Sequence, residues 1–290
     1  MSTFRGALTA VIFFGVTLVL MPLQLLFVAF GSRAGLRLPV IYHRLMLRLI
    51  GVRVKFEGEI VDGPALLASN HTSWLDVSVL ASIAPLSFIA KREVRSWPLF
   101  GQLARLQRTV FVDRERRSQT GAAKSEMERR FEAGERLVLF AEGTSDDGNS
   151  VKPFRTALFG AATTRVPRRP GDEPEALQVQ PVSIAYVKLQ GLPMGRLYRP
   201  DFAWYGDMEM GPHLWGVFRA GPIDAVVRLH GPVTIEDVTN RKALAAHCEA
   251  VVRAGVASAL LGRRLRPKDV RRPGPIDDVD PAIAEAAGNR

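Results

Sequence analysis

The sequence predicts an α/β fold, a mixed and largely parallel sheet flanked by helices, with an N-terminal hydrophobic membrane helix or hairpin. Three observations predict it. Short apolar runs alternate with helical patterns from residue 52 to residue 261, as in sheets covered by helices. Polar clusters follow directly on two of those runs, at 71–76 and 142–144, and ligands gather at strand carboxyl ends in open α/β sheets. Residues 6–32 carry no charged side chain.

That uncharged run would span about 40 Å as a helix, enough for a bilayer core. It is too long for a cleaved signal peptide and lacks a clear processing site. Pro22 and Gln24 interrupt it, so a kinked or re-entrant hairpin stands beside a single span. Only Arg5 precedes the run, whereas Arg33, Arg37, Arg44, Arg48, Arg53 and Lys55 follow. This positive-inside bias places the domain that follows on the cytoplasmic side of the cytoplasmic membrane. Residues 39–50 read as an amphipathic helix with Pro39 in its first turn and Gly51 as its stop, lying at the headgroups or covering the core.

The alternation of 52–56 marks a half-exposed strand. Strand 65–69, helix 73–83, strand 86–90, helix 98–106 and strand 109–112 follow. Helix 118–132 is closed by Gly134, and strand 136–141 delivers Glu142. Residues 165–175, rich in Pro, Gly and charge, read as a loop. Strands 179–187 and 225–230 and helix 241–261 complete the domain. The division expected is a membrane segment with its amphipathic helix at 1–50, one domain at 51–262 and a disordered tail at 263–290.

The net charge of +10 favours an anionic partner. No zinc-finger, Walker or Rossmann pattern is present, and the basic residues concentrate beside apolar segments, so the partner expected is an anionic bilayer and not nucleic acid. Cys248 is the single cysteine and sits in a helical pattern, which excludes an internal disulfide and reads as a packed residue. There is no G-x-S-x-G elbow. His43, His213, His230 and His247 lack ligand spacing, so no metal site is expected.

The chemistry concentrates in 70–76, Asn-His-Thr-Ser-Trp-Leu-Asp. Five residues on a helix are about 140° apart, so His71 and Asp76 meet only if His71 lies in the strand-to-helix loop. Ser73 to Asp76 has capping-box spacing, with Ser73 as N-cap and aspartate in place of Glu or Gln. Asp76 in the first turn then reaches back to one ring nitrogen of His71, and the other nitrogen is left to take a proton from a hydroxyl. That is a base and its orienting acid without a protein nucleophile. The plainer alternative is a capping aspartate beside a loop histidine. Backbone N–H groups near the helix start are the candidate oxyanion donors.

Four ordered segments, 70–76, 111–114 (Phe-Val-Asp-Arg), 140–144 (Phe-Ala-Glu-Gly-Thr) and 181–184 (Pro-Val-Ser-Ile), resemble the four blocks of the glycerolipid acyltransferase family. Its best known members are the bacterial 1-acylglycerol-3-phosphate acyltransferases, and the resemblance covers roughly 40–235. It implies that His71 is the general base and Asp76 its partner. It also implies that Arg114, Glu142, Gly143 and Thr144 bind the acceptor's glycerol and phosphate. The third block departs from the family pattern: Ala141 stands where proline is common, and Ser145 where arginine is usual, followed by Asp146 and Asp147. Lys152 and Arg155 from the next turn, and Lys91 and Arg92 at another strand end, are further candidates for an anionic group. A solvated helix start is the plainer reading of Lys91 and Arg92. Trp204 and Tyr205 line an acyl groove, or, as the favoured reading, pack the domain.

The resemblance implies a membrane-associated O-acyltransferase that needs no bound cofactor. Its co-substrate would be acyl-CoA or an acyl-[acyl carrier protein], and its acceptor a lysophospholipid in the bilayer. The acceptor expected is 1-acylglycerol-3-phosphate, giving phosphatidate in phospholipid biosynthesis. The alternative is lyso-ornithine lipid, whose ammonium would suit Asp146 and Asp147. A non-catalytic protein that binds anionic lipid is the reading from another class; it gives no reason to keep His71, Asp76 and Glu142 together at strand ends.

Overall fold

The structure is a computed structural model that describes residues 2–112, 117–169 and 171–263. The uncharged N-terminal run folds as α1 (Thr3–Ala29), which continues through Pro22. The chain reverses over 30–33 into α2 (Ala34–Ile50). The two helices are antiparallel. Arg5 Nη2 donates to Ile50 O at 2.6 Å, Thr17 Oγ1 pairs with Tyr42 Oη at 2.8 Å, and Gln24 Nε2 donates to Gly35 O at 2.8 Å. A hairpin therefore forms, with its turn eight residues beyond Pro22 and not at the interruption.

Pro39 lies inside α2 and not in its first turn as the sequence suggested. Proline has no N–H to give to the carbonyl four residues back, here Gly35 O. Gln24 Nε2 serves that carbonyl from α1 instead. The replacement donor comes from another helix, which a local rule cannot see.

The chain continues through β1 (Val52–Glu57), β2 (Ala65–Ser69), α3 (Leu75–Ala81), β3 (Ser87–Lys91), α4 (Phe100–Leu106), β4 (Val110–Val112), α5 (Arg117–Glu132) and β5 (Arg136–Phe140). Then come β6 (Arg165–Val166), β7 (Glu175–Ala176), β8 (Gln178–Leu189), β9 (Leu192–Pro193), α6 (Met210–Ala220), β10 (Ile223–Leu229) and α7 (Arg241–Leu260). The main sheet runs β1-β10-β8-β2-β5-β3-β4, with β9 paired to β8. β8 is antiparallel to β10; β2, β3, β4, β5 and β8 all run the same way. The carboxyl ends of four parallel strands, β2, β5, β3 and β4, thus share one edge, where the predicted polar clusters lie.

All five residues of β2 are buried, as its unbroken apolar run requires of a central strand covered on both faces. Ala65 and Leu67 point into a layer with Phe13, Ile50, Val79 and Phe218; Leu66 and Ala68 point into another with Phe131, Phe159 and Val252. Cys248 is buried in the second layer, and burial pushes its thiol up to about 12. Residues 165–175, read as a loop, are tied at their ends by the short β6–β7 pair. α6 is not among the elements expected from sequence; Pro212 lies in its first turn, where proline is tolerated.

α1 belongs to this packing. Phe13 is 4% exposed and its ring centroid lies 5.2 Å from that of Phe218 on α6. A Cβ on Gly6 would come 2.6 Å from Arg219 Cγ, so glycine allows the approach of α1 to α6. Arg5 also donates to Phe218 O at 2.6 Å, giving one guanidinium to carbonyls near the ends of α2 and α6. The outward face shows Leu8, Val11, Leu18, Val19, Leu25 and Leu26. Arg114 and the tail 264–290 lie outside the described residues.

This packing distinguishes the two faces of one hydrophobic helix. Phe13→Ala is expected to lower the unfolding free energy of detergent-solubilised protein by about 3 kcal/mol in urea titrations. Val19→Ala, at a position 72% exposed, should change it by less than about 0.5 kcal/mol.

Candidate active site

β2 ends at Ser69, and the next side chain fixes the chain's exit. Asn70 Oδ1 accepts from Ile184 N at 2.9 Å and its Nδ2 donates to Ile184 O at 3.0 Å, so the amide pairs with β8 as a backbone would. His71 to Trp74 then turn into α3, with Asp76 in the first turn.

Asp76 is fully buried and both its oxygens are occupied. Oδ2 accepts from Thr72 N (2.6 Å), Ser73 N (2.9 Å) and His71 Nδ1 (2.9 Å). Oδ1 accepts from Tyr186 Oη at 2.7 Å. Only half of the expected capping box exists: Asp76 reaches back to Ser73 N, but Ser73 Oγ is buried without a partner. Asp76 N bonds Ser73 O instead, at 3.0 Å. Of the N–H groups near the helix start, the candidate oxyanion donors, those of Thr72 and Ser73 are consumed by the same carboxylate.

Because Asp76 accepts at Nδ1, that nitrogen carries the hydrogen and Nε2 holds the lone pair. The ring stacks on Phe140 at 3.9 Å and 14°, and Nε2 makes no hydrogen bond among the described residues. Tyr186 was not singled out from sequence; its signal is the alternation of β8, which sends Ile184 and Tyr186 into the same layer. Burial, then the charge of Asp76, holds its hydroxyl well above the ordinary tyrosine range, so it stays a donor.

Glu142 is also buried, and its carboxylate faces the backbone rather than the cleft. Oε1 accepts from His71 N at 2.7 Å and Oε2 from Lys152 N at 2.8 Å. Burial raises its carboxyl to about 7, against the pull of those two donors. Gly143, with φ +78°, lets the chain turn sharply after Glu142, and Thr144 and Ser145 follow along the cleft. Ser145 Oγ donates to Trp204 O. Asp146 Oδ1 pairs with Lys152 Nζ at 3.1 Å, and Asp147 accepts from Asn149 N at 2.8 Å. Both aspartates are therefore engaged within their own loop.

A cavity of about 530 Å³ opens beside His71. Lys91 and Glu93 line its mouth with Trp204 and Tyr205, so these aromatics border the cavity and do more than fill the domain. Its inner walls come from Phe88 of β3, Leu20 and Gln24 of α1 and Tyr42 and His43 of α2. Arg155 lies apart from it, exposed, with Nε 3.2 Å from Glu142 O. The structure thus brings His71, Asp76, Glu142, Gly143, Thr144 and Lys91 to one strand edge. Among the described residues no group of three or more His, Cys, Asp or Glu side chains is placed to hold a metal ion.

A buried acid thus fixes a histidine beside a cavity whose walls are mostly apolar. Comparison with known proteins gives the class: a family model described as Acyltransferase matches residues 51–185. A lyso-ornithine lipid O-acyltransferase of Brucella abortus (strain 2308) is 49% identical over 264 residues, covering 91% of this chain and 98% of its own. A 1-acyl-sn-glycerol-3-phosphate acyltransferase of Neisseria gonorrhoeae is 28% identical over 192 residues, covering 66% of this chain and 69% of its own. The fold is that of the 1-acyl-sn-glycerophosphate acyltransferase PlsC of Thermotoga maritima, with TM-score 0.61, 21% identity and coverage of 92% of this chain and 100% of that one. The chain belongs to the acyltransferase family, and it is an acyltransferase.

Glu142 makes the stability of this loop pH-dependent. Its carboxyl is raised from 4.5 to about 7 in the folded protein, which therefore holds a proton that the unfolded chain has released. The contribution is fully present below about 4.5 and is lost as pH rises through about 7. Thermal unfolding of wild type should decline over that interval relative to Glu142→Gln. The variant should melt lower throughout, because one amide oxygen accepts from only one of the two N–H groups.

Proposed function

We propose that the protein transfers an acyl chain from an acyl thioester to the free hydroxyl of lyso-ornithine lipid at a membrane surface. His71 Nε2 removes the hydroxyl proton as the oxygen attacks the thioester carbonyl. The ester C–O bond forms, the C–S bond breaks, and the leaving thiolate takes the proton back from His71. Asp76 stabilises the imidazolium between those events and keeps Nε2 aimed into the cleft. The apolar cavity beside His71 receives the acyl chain, and water is excluded from its walls.

The observation that carries the acceptor is the 49% identity, nearly end to end, to a lyso-ornithine lipid O-acyltransferase. A second such relative, from Rhizobium meliloti (strain 1021), is 40% identical over 284 residues. Two features of the site agree. Ser145 leaves the third block without the arginine that suits a phosphate. Lys91 and Glu93 put opposite charges at the cavity mouth, as a zwitterionic head group with carboxylate and ammonium requires. This reverses the preference for 1-acylglycerol-3-phosphate, which rested on the family resemblance and on the strongly basic composition. The donor is a thioester of coenzyme A or of acyl carrier protein.

The outward apolar face of α1, extended by Leu36, Ile41 and Leu45 of α2, is the membrane-binding surface. The inward face is tied to the domain at Arg5, Thr17 and Gln24. The hairpin therefore lies in the plane of the interface, and Arg33, Arg37 and Arg48 beside it favour the anionic cytoplasmic leaflet.

Purified protein given equal amounts of lyso-ornithine lipid and 1-acylglycerol-3-phosphate, with labelled acyl-CoA or acyl carrier protein, should label ornithine lipid. His71→Ala should lower kcat by about 10²–10⁴-fold with an unchanged circular dichroism spectrum. Preferential formation of phosphatidate would replace the acceptor assignment, and near-normal turnover by His71→Ala would remove the mechanism.

A further inference from the structure

The hydroxyl of Tyr186 touches the catalytic pair from a distant strand, and base catalysis by His71 and Asp76 alone gives it no role. β8 meets the segment after β2 twice. Ile184 is bonded through its N–H and its carbonyl to Asn70, the residue before His71. Two positions on, Tyr186 Oη donates to Asp76 Oδ1 at 2.7 Å. Residues two apart on a strand share a face, so both contacts come from one side of β8. Tyr186 also pairs with Ala225 of β10, so a strand held in the sheet sets where the hydroxyl stands.

The bonds to Asp76 are unevenly divided between its oxygens. Oδ2 accepts from Thr72 N, Ser73 N and His71 Nδ1, whereas among the described residues Oδ1 accepts from Tyr186 alone. At 2.7 Å the phenol bond has the length of a charge-assisted one. With both oxygens held, the carboxylate cannot rotate away, and Oδ2 stays against Nδ1. The phenol also takes a share of the negative charge. A carboxylate so occupied stabilises an imidazolium less than one with a bare buried oxygen.

Other ionisable groups surround the imidazole. Glu142 accepts from His71 N and Lys152 N, Asp146 pairs with Lys152 Nζ, and His43 is buried between Ser78 and Gln107. Lys91, Glu93 and Tyr205 line the cavity. None of these side chains is hydrogen-bonded to Asp76 or Tyr186 among the described residues, so a change at Tyr186 leaves their contacts in place. Glu142, raised to about 7, adds an inflection of its own to any titration of the site.

We infer that Tyr186 is a positioning residue of acyl transfer: by occupying Asp76 Oδ1 it keeps Oδ2 aligned on His71 Nδ1 and holds down the basicity of Nε2. The base thereby stays neutral, and able to accept a proton, to a lower pH than it would beside phenylalanine. The inference rests on His71 acting as the general base.

The test compares detergent-solubilised full-length wild type with Tyr186→Phe and with protein carrying 3-fluorotyrosine at position 186, whose hydroxyl is a stronger donor. Both replacements keep the ring in the core, so the fold is retained. NMR of labelled histidine follows the titration of His71, its signal assigned by its loss in His71→Ala. The midpoint should rise by about half a unit to one unit in Tyr186→Phe and fall by a smaller step with fluorotyrosine. The acid limb of kcat/KM for lyso-ornithine lipid with palmitoyl-CoA should follow, lowering activity below that limb about three- to tenfold in Tyr186→Phe. A residue that only fills the core would leave the midpoint where it is. An unmoved midpoint in Tyr186→Phe, or shifts of one sign in both substituted proteins, would overturn the inference. Failure of the base assignment shows differently, as near-normal turnover by His71→Ala, and the NMR midpoints decide the role of Tyr186 in either case.

Discussion

Everything at this site hangs on one buried carboxylate. Asp76 has no exposure to solvent, and a buried charge is tolerated only when its hydrogen-bonding capacity is met. Meeting it requires Thr72 and Ser73 to present their N–H groups, which shapes the turn after β2, and requires Tyr186 to reach across from β8. The one remaining donor is His71 Nδ1–H. The imidazole is thus oriented by the same contacts that start α3 and bind it to the sheet. Glu142 acts in parallel: it grips His71 N and Lys152 N, fastening the loop after β2 to the segment after β5. The two carboxylates thus fix the histidine from its side chain and from its backbone.

The α1–α2 hairpin links this site to the exposed apolar surface that is proposed to meet the bilayer. Its inner face builds a wall of the cavity, and its outer face exposes Leu8, Val11, Leu18, Val19, Leu25 and Leu26 of α1 with Leu36, Ile41 and Leu45 of α2. A helix held at Arg5, Thr17 and Gln24 along its length cannot leave the domain without exposing Phe13 and the core behind it. The cavity wall and the exposed apolar surface are two faces of one element, so on the proposed reading lipid substrates would meet the site where the protein touches the membrane.

Much of this was legible in the sequence. The apolar alternation gave the strands, and the five-residue spacing required His71 in a loop with Asp76 helical, which is the geometry observed. Part of what escaped depended on contacts between distant segments. Tyr186 lies 110 residues beyond Asp76, and no local pattern reports their hydrogen bond. Gln24 looked like a flaw in a membrane span because its partners, Gly35 O and Leu106 O, become available only after folding. Ser73 was misjudged in the opposite sense: its spacing suited an N-cap, but Asp76 took the backbone donors itself. Asp146 and Asp147 looked like free negative charge and are bound within their own loop. Distant contacts hid the roles of Tyr186 and Gln24, whereas for Ser73, Asp146 and Asp147 the partners are near in sequence and spacing alone does not say which of several local donors and acceptors will pair.

The chemistry depends most on the state of one imidazole, which must carry its hydrogen on Nδ1 and present a bare Nε2 to the cleft. Nitrogen-15 NMR of selectively labelled protein at alkaline pH reads this directly for His71. A neutral ring with Nδ1 protonated and Nε2 unprotonated, shifting toward an even mixture of tautomers in Asp76→Asn, is the result required. A wild-type ring protonated on Nε2, or one whose tautomer ignores the substitution, would contradict it.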